Sequence, residues 1–316
     1  MENEFGVTSV GPVLRRLSFD SVDRAEAELQ LCGVEQQMRQ LGSRSFQAKI
    51  SSVYVNGLEL ISERYEAAIS LSCGPPENSI AIIFTGTAEG QSRVNGRDVS
   101  DGGLVFLPLA GDLDCVFHGR FGSESIIIPE DRFNSIVASV CPESPFPRTA
   151  SIVKINRGRT AGLRAEIAAL LNQSMPNAEH VTDLVDATIT YVSELQFRVP
   201  SSGPDSASYR RIAKQAQEFI EARFMGPIRI EDICRFCGVG VRTLQRAFRD
   251  YFGLTVTEYI KTTRLDKAFR ALKAAVPAEA TVADVAANNG FTHLGRFSVL
   301  YKERFRESPN STLRSF

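Results

Sequence analysis

At 316 residues, with 43% hydrophobic content and a mean hydropathy near zero, the chain is long enough for two globular domains. It contains no run of about 18 apolar residues, which excludes a transmembrane helix, and its acidic opening Met1-Glu2-Asn3-Glu4 does not read as a basic signal start, so the cytoplasm is the expected compartment. The net charge of −1 conceals an asymmetry: residues 1–208 carry −9 and residues 209–316 carry +8.

Residues 45–130 read as β structure. Short apolar runs at 52–55, 80–84, 103–107, 113–117 and 125–128 are separated by turn signals: Asn56-Gly57, Gly74-Pro75-Pro76, Asn95-Gly96 and Asp101-Gly102-Gly103. Such spacing predicts an all-β sandwich or barrel, with a hairpin over Val94–Val99. A small barrel encloses space between its sheets, which makes this half a candidate sensor for a small-molecule effector. Arg64, Phe84, Phe106 and Phe117 are the candidate ligand-binding positions, one cation among aromatic walls suited to an aromatic or carboxylated molecule; packing of the phenylalanines in the core is the alternative.

Two helical patterns follow, at about 161–174 and 178–197. The second places Val181, Leu184, Val185, Thr188, Ile189, Val192 and Leu195 on one face. That face either packs against its own domain or forms a dimer helix pair. Pro200 to Ser208 is small, polar and rich in Pro and Gly, and reads as a linker over 200–208. Residues 1–199 and 209–316 are then the two domains.

In the basic half one aromatic ladder is written twice. Leu244, Phe248 and Phe252 recur at a spacing of four, and Phe297, Tyr301 and Phe305 repeat the pattern 53 residues later. Four-residue spacing puts each trio on one helical face. Each ladder follows a short apolar-periodic segment and a glycine turn at Gly238 or Gly290, the form of a helix-turn-helix. Two copies suggest a reader of two successive major grooves in double-stranded DNA, and the positive charge suits phosphate neutralisation.

Residues 209–316 resemble the DNA-binding domain of the AraC/XylS family of bacterial transcription regulators. The matching segments are Gly238–Gly253, Tyr259–Ala268, Gly290–Lys302 and Ser308-Pro309. The Gly96–Gly103 segment carries a weaker resemblance to the cupin-like sensor domains of that family. The implied fold is α+β with two domains: an N-terminal cupin-like β-barrel or sandwich with following helices, and a C-terminal all-α double helix-turn-helix. The implied function is sequence-specific regulation of transcription, with a ligand-responsive activator as the main reading and control by abundance or by a partner protein as the alternative. RNA polymerase is an implied partner, a homodimer the implied assembly, and the nucleoid of a bacterial cytoplasm the implied location. By position in the family's motifs, Arg242, Gln245 and Arg246 are expected base contacts of the first recognition helix, with Arg249 on phosphate. In the second, Gly295 and Val299 depart from the family's pattern, leaving His293, Arg296 and Ser298 as candidate base contacts and Lys302 on phosphate. Arg306 stands where the family has a glycine, so the last turn must be made without it.

Enzymatic readings are set aside. Cys234-x-x-Cys237 lies on the first helix of a helix-turn-helix with no second such pair and no nearby histidine, and reads as core. The barrel region offers only His118 where a metal-dependent cupin needs several histidines, so no cofactor or metal is expected. An enzyme tethered to DNA by its basic half is the remote alternative.

Overall fold

The computed structural model describes residues 11–31, 36–41, 46–99, 102–108, 113–140, 151–154, 157–195, 204–276 and 280–314. The N-terminal half is built on two antiparallel sheets. The larger has the order β1-β3-β4-β11-β6-β9-β12, formed by Val13–Phe19, Ala48–Val55, Leu58–Tyr65, Phe121–Pro129, Ser79–Ala88, Gly103–Leu107 and Ser151–Lys154. The smaller has the order β2-β5-β10-β7-β8, formed by Gln36–Gln40, Ile69–Cys73, Leu113–Phe117, Ser92–Val94 and Arg97–Val99. The expected hairpin over Val94–Val99 is the β7–β8 pair, and Asn95 and Gly96 both take positive φ at its turn, as the Asn-Gly sequence demands. Strands β1, β2 and β12 and the helices α1 (Val22–Leu31) and α2 (Glu130–Val140) extend the domain beyond the predicted segments.

Alternation along the central strands of the large sheet divides two cores. Ile61, Tyr65, Ala81, Ile83, Val105, Leu107, Phe121 and Ile127 face the small sheet. Leu58, Leu60, Ile80, Ile82, Phe84, Leu104, Phe106, Ile126 and Ile128 face α2, α3 (Arg157–Asn172) and α4 (Ala178–Glu194). Strand side chains change face at every residue, so this partition fixes which positions can meet the space between the sheets. The apolar stripe of α4 is buried in the helix-side core, so of its two readings the structure supports packing within the chain.

On that helix side Glu124 is only 1% exposed, yet it is held by Arg64 from β4 and Arg164 from α3. Glycine makes the room: a Cβ on Gly86 would lie 2.2 Å from Arg164 Nη2, and one on Gly122 2.7 Å from Arg64 Cδ.

The expected linker is corrected in part. Helix α5 runs Pro204–Arg223, so residues 204–208 are helical, Pro204 standing in the first turn where its missing N–H costs nothing. Residues 200–203 lie outside the described residues. The rest of the C-terminal half is α6 (Ile230–Cys237), α7 (Val241–Phe252), α8 (Val256–Ala274), α9 (Val282–Asn288), α10 (Leu294–Phe305) and α11 (Pro309–Arg314). Among the described residues no helix is long and apolar enough to cross a membrane.

Candidate nucleic-acid interface

Helices α6 and α7 form the first helix-turn-helix. Gly238 ends α6 in the left-handed conformation at φ 66°, which a side chain would strain. Leu244, Ala247, Phe248, Tyr251 and Phe252 are buried on the inner face of α7, and the Phe248 ring meets Phe252 at 5.1 Å and Tyr259 at 5.3 Å. The outer face then falls to Arg242, Arg246 and Arg249, all exposed, with Gln245 half-buried. Gln245 Oε1 lies 3.5 Å from the Val256 amide that donates to it, so its amide NH2 is the free end. The Arg246 guanidinium lies over the Tyr209 ring, 5.1 Å from its centroid, and 3.7 Å from Asp250, which limits its rotamers before any partner arrives.

The second unit is α9 and α10, joined through Gly290 at φ 79°, where a Cβ would stand 2.7 Å from the Phe224 carbonyl oxygen. Phe297 and Tyr301 are fully buried, with Tyr301 donating to Thr312 at 2.8 Å. His293, Arg296 and Lys302 are exposed. Ser298 spends its hydroxyl hydrogen on the Leu294 carbonyl, leaving it only as an acceptor. Leu294 and Val299 are 46% and 58% exposed on this helix, and Val241 is 47% exposed at the start of α7. Exposed apolar side chains at the starts of both recognition helices are suited to thymine methyl groups. Arg306 makes the final turn at φ 62°, the left-handed geometry expected of the missing glycine.

Helix α8 begins with a reciprocal capping box between Thr255 and Glu258 and joins the units. Its first half packs Val256, Tyr259 and Ile260 into the core of the first unit, and its second half packs Leu265, Ala268 and Leu272 into that of the second. Residues 233–315 match the helix-turn-helix domain family HTH_18.

The C-terminal domain is an AraC-type double helix-turn-helix.

The chain is 36% identical over 104 residues to the probable thc operon regulatory protein of Rhodococcus erythropolis, covering 33% of this chain and 31% of that protein. It is 27% identical over 145 residues to the XylDLEGF operon transcriptional activator of Pseudomonas putida, covering 45% and 43%. It therefore spans less than half the length of these curated relatives. A crystal structure of a probable AraC family transcriptional regulator from Rhodopseudomonas palustris is 33% identical, covering 33% of this chain and 95% of that one, with a TM-score of 0.31.

The AraC-type domain is docked on the small sheet of the N-terminal half. Asp114 on β10 receives Arg210 Nε and Lys214 Nζ from α5, each at 2.9 Å, and Ser72 on β5 bonds the same carboxylate. Burial alone would raise the Asp114 carboxyl, but Lys214, Ser72 and Arg210 together hold it below its ordinary value. Arg93 on β7 reaches Asp250 and the Arg249 carbonyl at the end of α7. Arg39 on β2 lies over Tyr259 and bonds Thr263 on α8, while buried Arg304 on α10 donates to the Gln40 carbonyl and to Asp266. The small sheet thus grips both helix-turn-helix units. None of these contacts was legible as a motif, because each pairs residues far apart in the chain.

Behind that same sheet lies a cavity of about 90 Å³. Leu113, Cys115 and Phe117 line it from β10, alternating with Asp114 and with Val116, which would meet a Cβ on Gly253 at 2.7 Å. Leu71 and Cys73 line it from β5, alternating with Ser72. The wall between cavity and AraC-type domain is one strand thick.

Of the four positions expected to bind a ligand, only Phe117 lines this cavity. Phe84 and Phe106 have the opposite strand parity and are buried in the helix-side core, and Arg64 turns to Glu124 on that side. Its neighbour Glu63 takes the cavity position, with Tyr65 Oη donating to it at 3.1 Å and Ser123 Oγ at 3.4 Å. Burial pushes the Glu63 carboxyl above its ordinary value against those two hydrogen bonds and Arg64. A raised folded value means that the stability it contributes is fully present below about pH 4.5, the ordinary value, and is lost as pH rises through the folded value. Thermal unfolding followed from pH 4.5 toward neutrality is therefore expected to weaken more steeply for the native chain than for Glu63→Gln. Parallel curves would mean that Glu63 titrates alike in both states.

Proposed function

We propose that this protein is a ligand-responsive transcriptional activator that reads two successive major grooves, with Arg242, Gln245, Arg246, His293 and Arg296 on base edges and Arg249 and Lys302 on phosphates. The observation that carries the ligand response is the one-strand wall, whose alternate residues face the cavity and hold the DNA-binding domain. At 19 residues α8 is about 28 Å long, near the 34 Å of one DNA turn that separates successive grooves on one face. Leu294 and Val299 are assigned to thymine methyl groups beside Arg296.

Docking sets the acidic half against the basic one. That negative charge opposes approach of phosphates, so the docked state is the weaker DNA binder and ligand entry, by shifting β10, releases it. A homodimer acting in the bacterial cytoplasm and contacting RNA polymerase completes the reading. A coupling of about 1–3 kcal/mol is enough for a response of 5–150-fold.

Selection of genomic DNA fragments by the purified protein at two salt concentrations tests the core of this proposal. The expected product is one discrete site with two half-elements about one turn apart; fragments recovered without sequence preference would defeat it. Asp114→Ala removes the shared partner of Arg210 and Lys214 and is expected to raise affinity for that site about fivefold or more, with the larger gain at low salt. Unchanged affinity, measured by fluorescence anisotropy, would uncouple the wall from DNA binding.

A further inference from the structure

The cavity behind the wall has a definite chemical sign. Its lining includes Glu59 and Glu63 and, among the described residues, no lysine, arginine or histidine. A carboxylated ligand would meet two carboxyl groups in a poorly solvated space with no cationic side chain to receive it. Glu59 already draws on Ser52 and Arg15, whereas Glu63 is held only by hydroxyl groups and by Arg64, whose guanidinium is committed to Glu124 on the far face of the sheet. Phe121, on the strand paired with that of Glu63, stacks on Phe117 of the small sheet with the ring centroids 3.6 Å apart, and both line the cavity. Aromatic faces attract cations. A separate polar feature asks for an oxygen on the ligand: Gln36 is among the lining residues, and its Nε2 is buried and has no hydrogen-bond partner. It is a donor awaiting an acceptor.

We propose that the effector is a small organic amine, bound as its ammonium ion to Glu63 with its carbon chain on Phe117 and Phe121, and carrying one hydroxyl or carbonyl oxygen for Gln36. This assignment rests on the ligand-responsive reading above. The volume, about 90 Å³, corresponds to the liquid share of about three water molecules at roughly 30 Å³ each, so the body of the ligand is short. Binding pairs the cavity carboxylate without a committed cation and satisfies the orphaned donor among the described lining residues. It does so against residues on β10 and β11, and β10 is the strand that holds Asp114 on its other face.

The test is isothermal titration of the full-length protein, at fixed ionic strength, with propylammonium, 3-aminopropan-1-ol, propan-1-ol and propionate. Saturable binding of both ammonium probes is expected, the amino alcohol binding more tightly, with no binding of propionate. Glu63→Gln is isosteric and should weaken the ammonium probes at least tenfold, whereas Glu77→Gln, at an exposed position outside the cavity, should leave them unchanged. Phe117→Leu keeps the site apolar and should weaken them several-fold, a second readout if Glu63→Gln fails to fold. Propionate or propan-1-ol binding as tightly as the ammonium probes, or ammonium binding indifferent to both substitutions, overturns the assignment, as does absence of saturable ammonium binding. DNA-site selection by the same preparations separates the two levels. A selective DNA binder that ignores amines overturns the ligand class alone, whereas a protein that binds amines through Glu63 but selects no DNA site supports the ligand class and overturns the regulator reading.

Discussion

Replacing Arg242 and Arg246 together with alanine is expected to lower affinity for the selected DNA site at least a hundredfold. Each arginine at a base edge contributes about 1–3 kcal/mol of discrimination, and a hundredfold corresponds to about 2.7 kcal/mol. Both side chains are exposed on the outer face of α7, and docking leaves them uncovered. Arg246 is partly ordered in advance by Tyr209 and Asp250, so less rotamer freedom is lost when it meets a base. Asp250 keeps Arg93 as a partner in the variant, so the substitution orphans no buried charge. Affinity for random DNA, measured in the same titration, is expected to fall far less. Equal loss on specific and random DNA would reassign both residues to phosphates.

Phe248→Ala is expected to destabilise the C-terminal domain by about 3–5 kcal/mol, the usual cost of emptying a buried aromatic site. The ring is fully buried and touches Phe252 and Tyr259, so its loss opens the centre of the first helix-turn-helix core. Because that core shares α8 with the second, loss of order should spread to α9 and α10. Hydrogen exchange is the suitable measurement, since a chain with several cores need not unfold in one step. Amides of α6 to α10 should lose protection, while β3, β4 and β11 keep theirs. A change below about 1 kcal/mol would mean that the ladder is not the support of this domain.

The apolar cores and the polar contacts divide the chain differently. Buried residues up to Val192 form two clusters of the N-terminal half, and those from Ile212 onward form two of the C-terminal half. Yet helix α5 begins inside the expected linker, and Asp114, Arg93, Arg39 and Arg304 bind the halves together. Composition marks where few apolar contacts cross; it carries no record of ion pairs between distant residues.

By itself the sequence determined the helical domain. A ladder at a spacing of four, a glycine at the end of each first helix and an Asn-Gly hairpin turn are local statements, satisfied by backbone geometry within a few residues, and the structure places Phe248, Phe297, Gly238, Gly290 and Asn95-Gly96 accordingly. Only the tertiary structure decided the site in the β-domain. In a strand, a shift of one residue exchanges the two faces, and the face is chosen by pairing with strands far along the chain. Glu63 rather than Arg64 therefore meets the cavity, which reverses the sign of the charge offered to a ligand. Asp114 turns outward between Leu113 and Cys115 for the same reason, and its partners Arg210 and Lys214 reach it only because α5 is laid across the finished sheet.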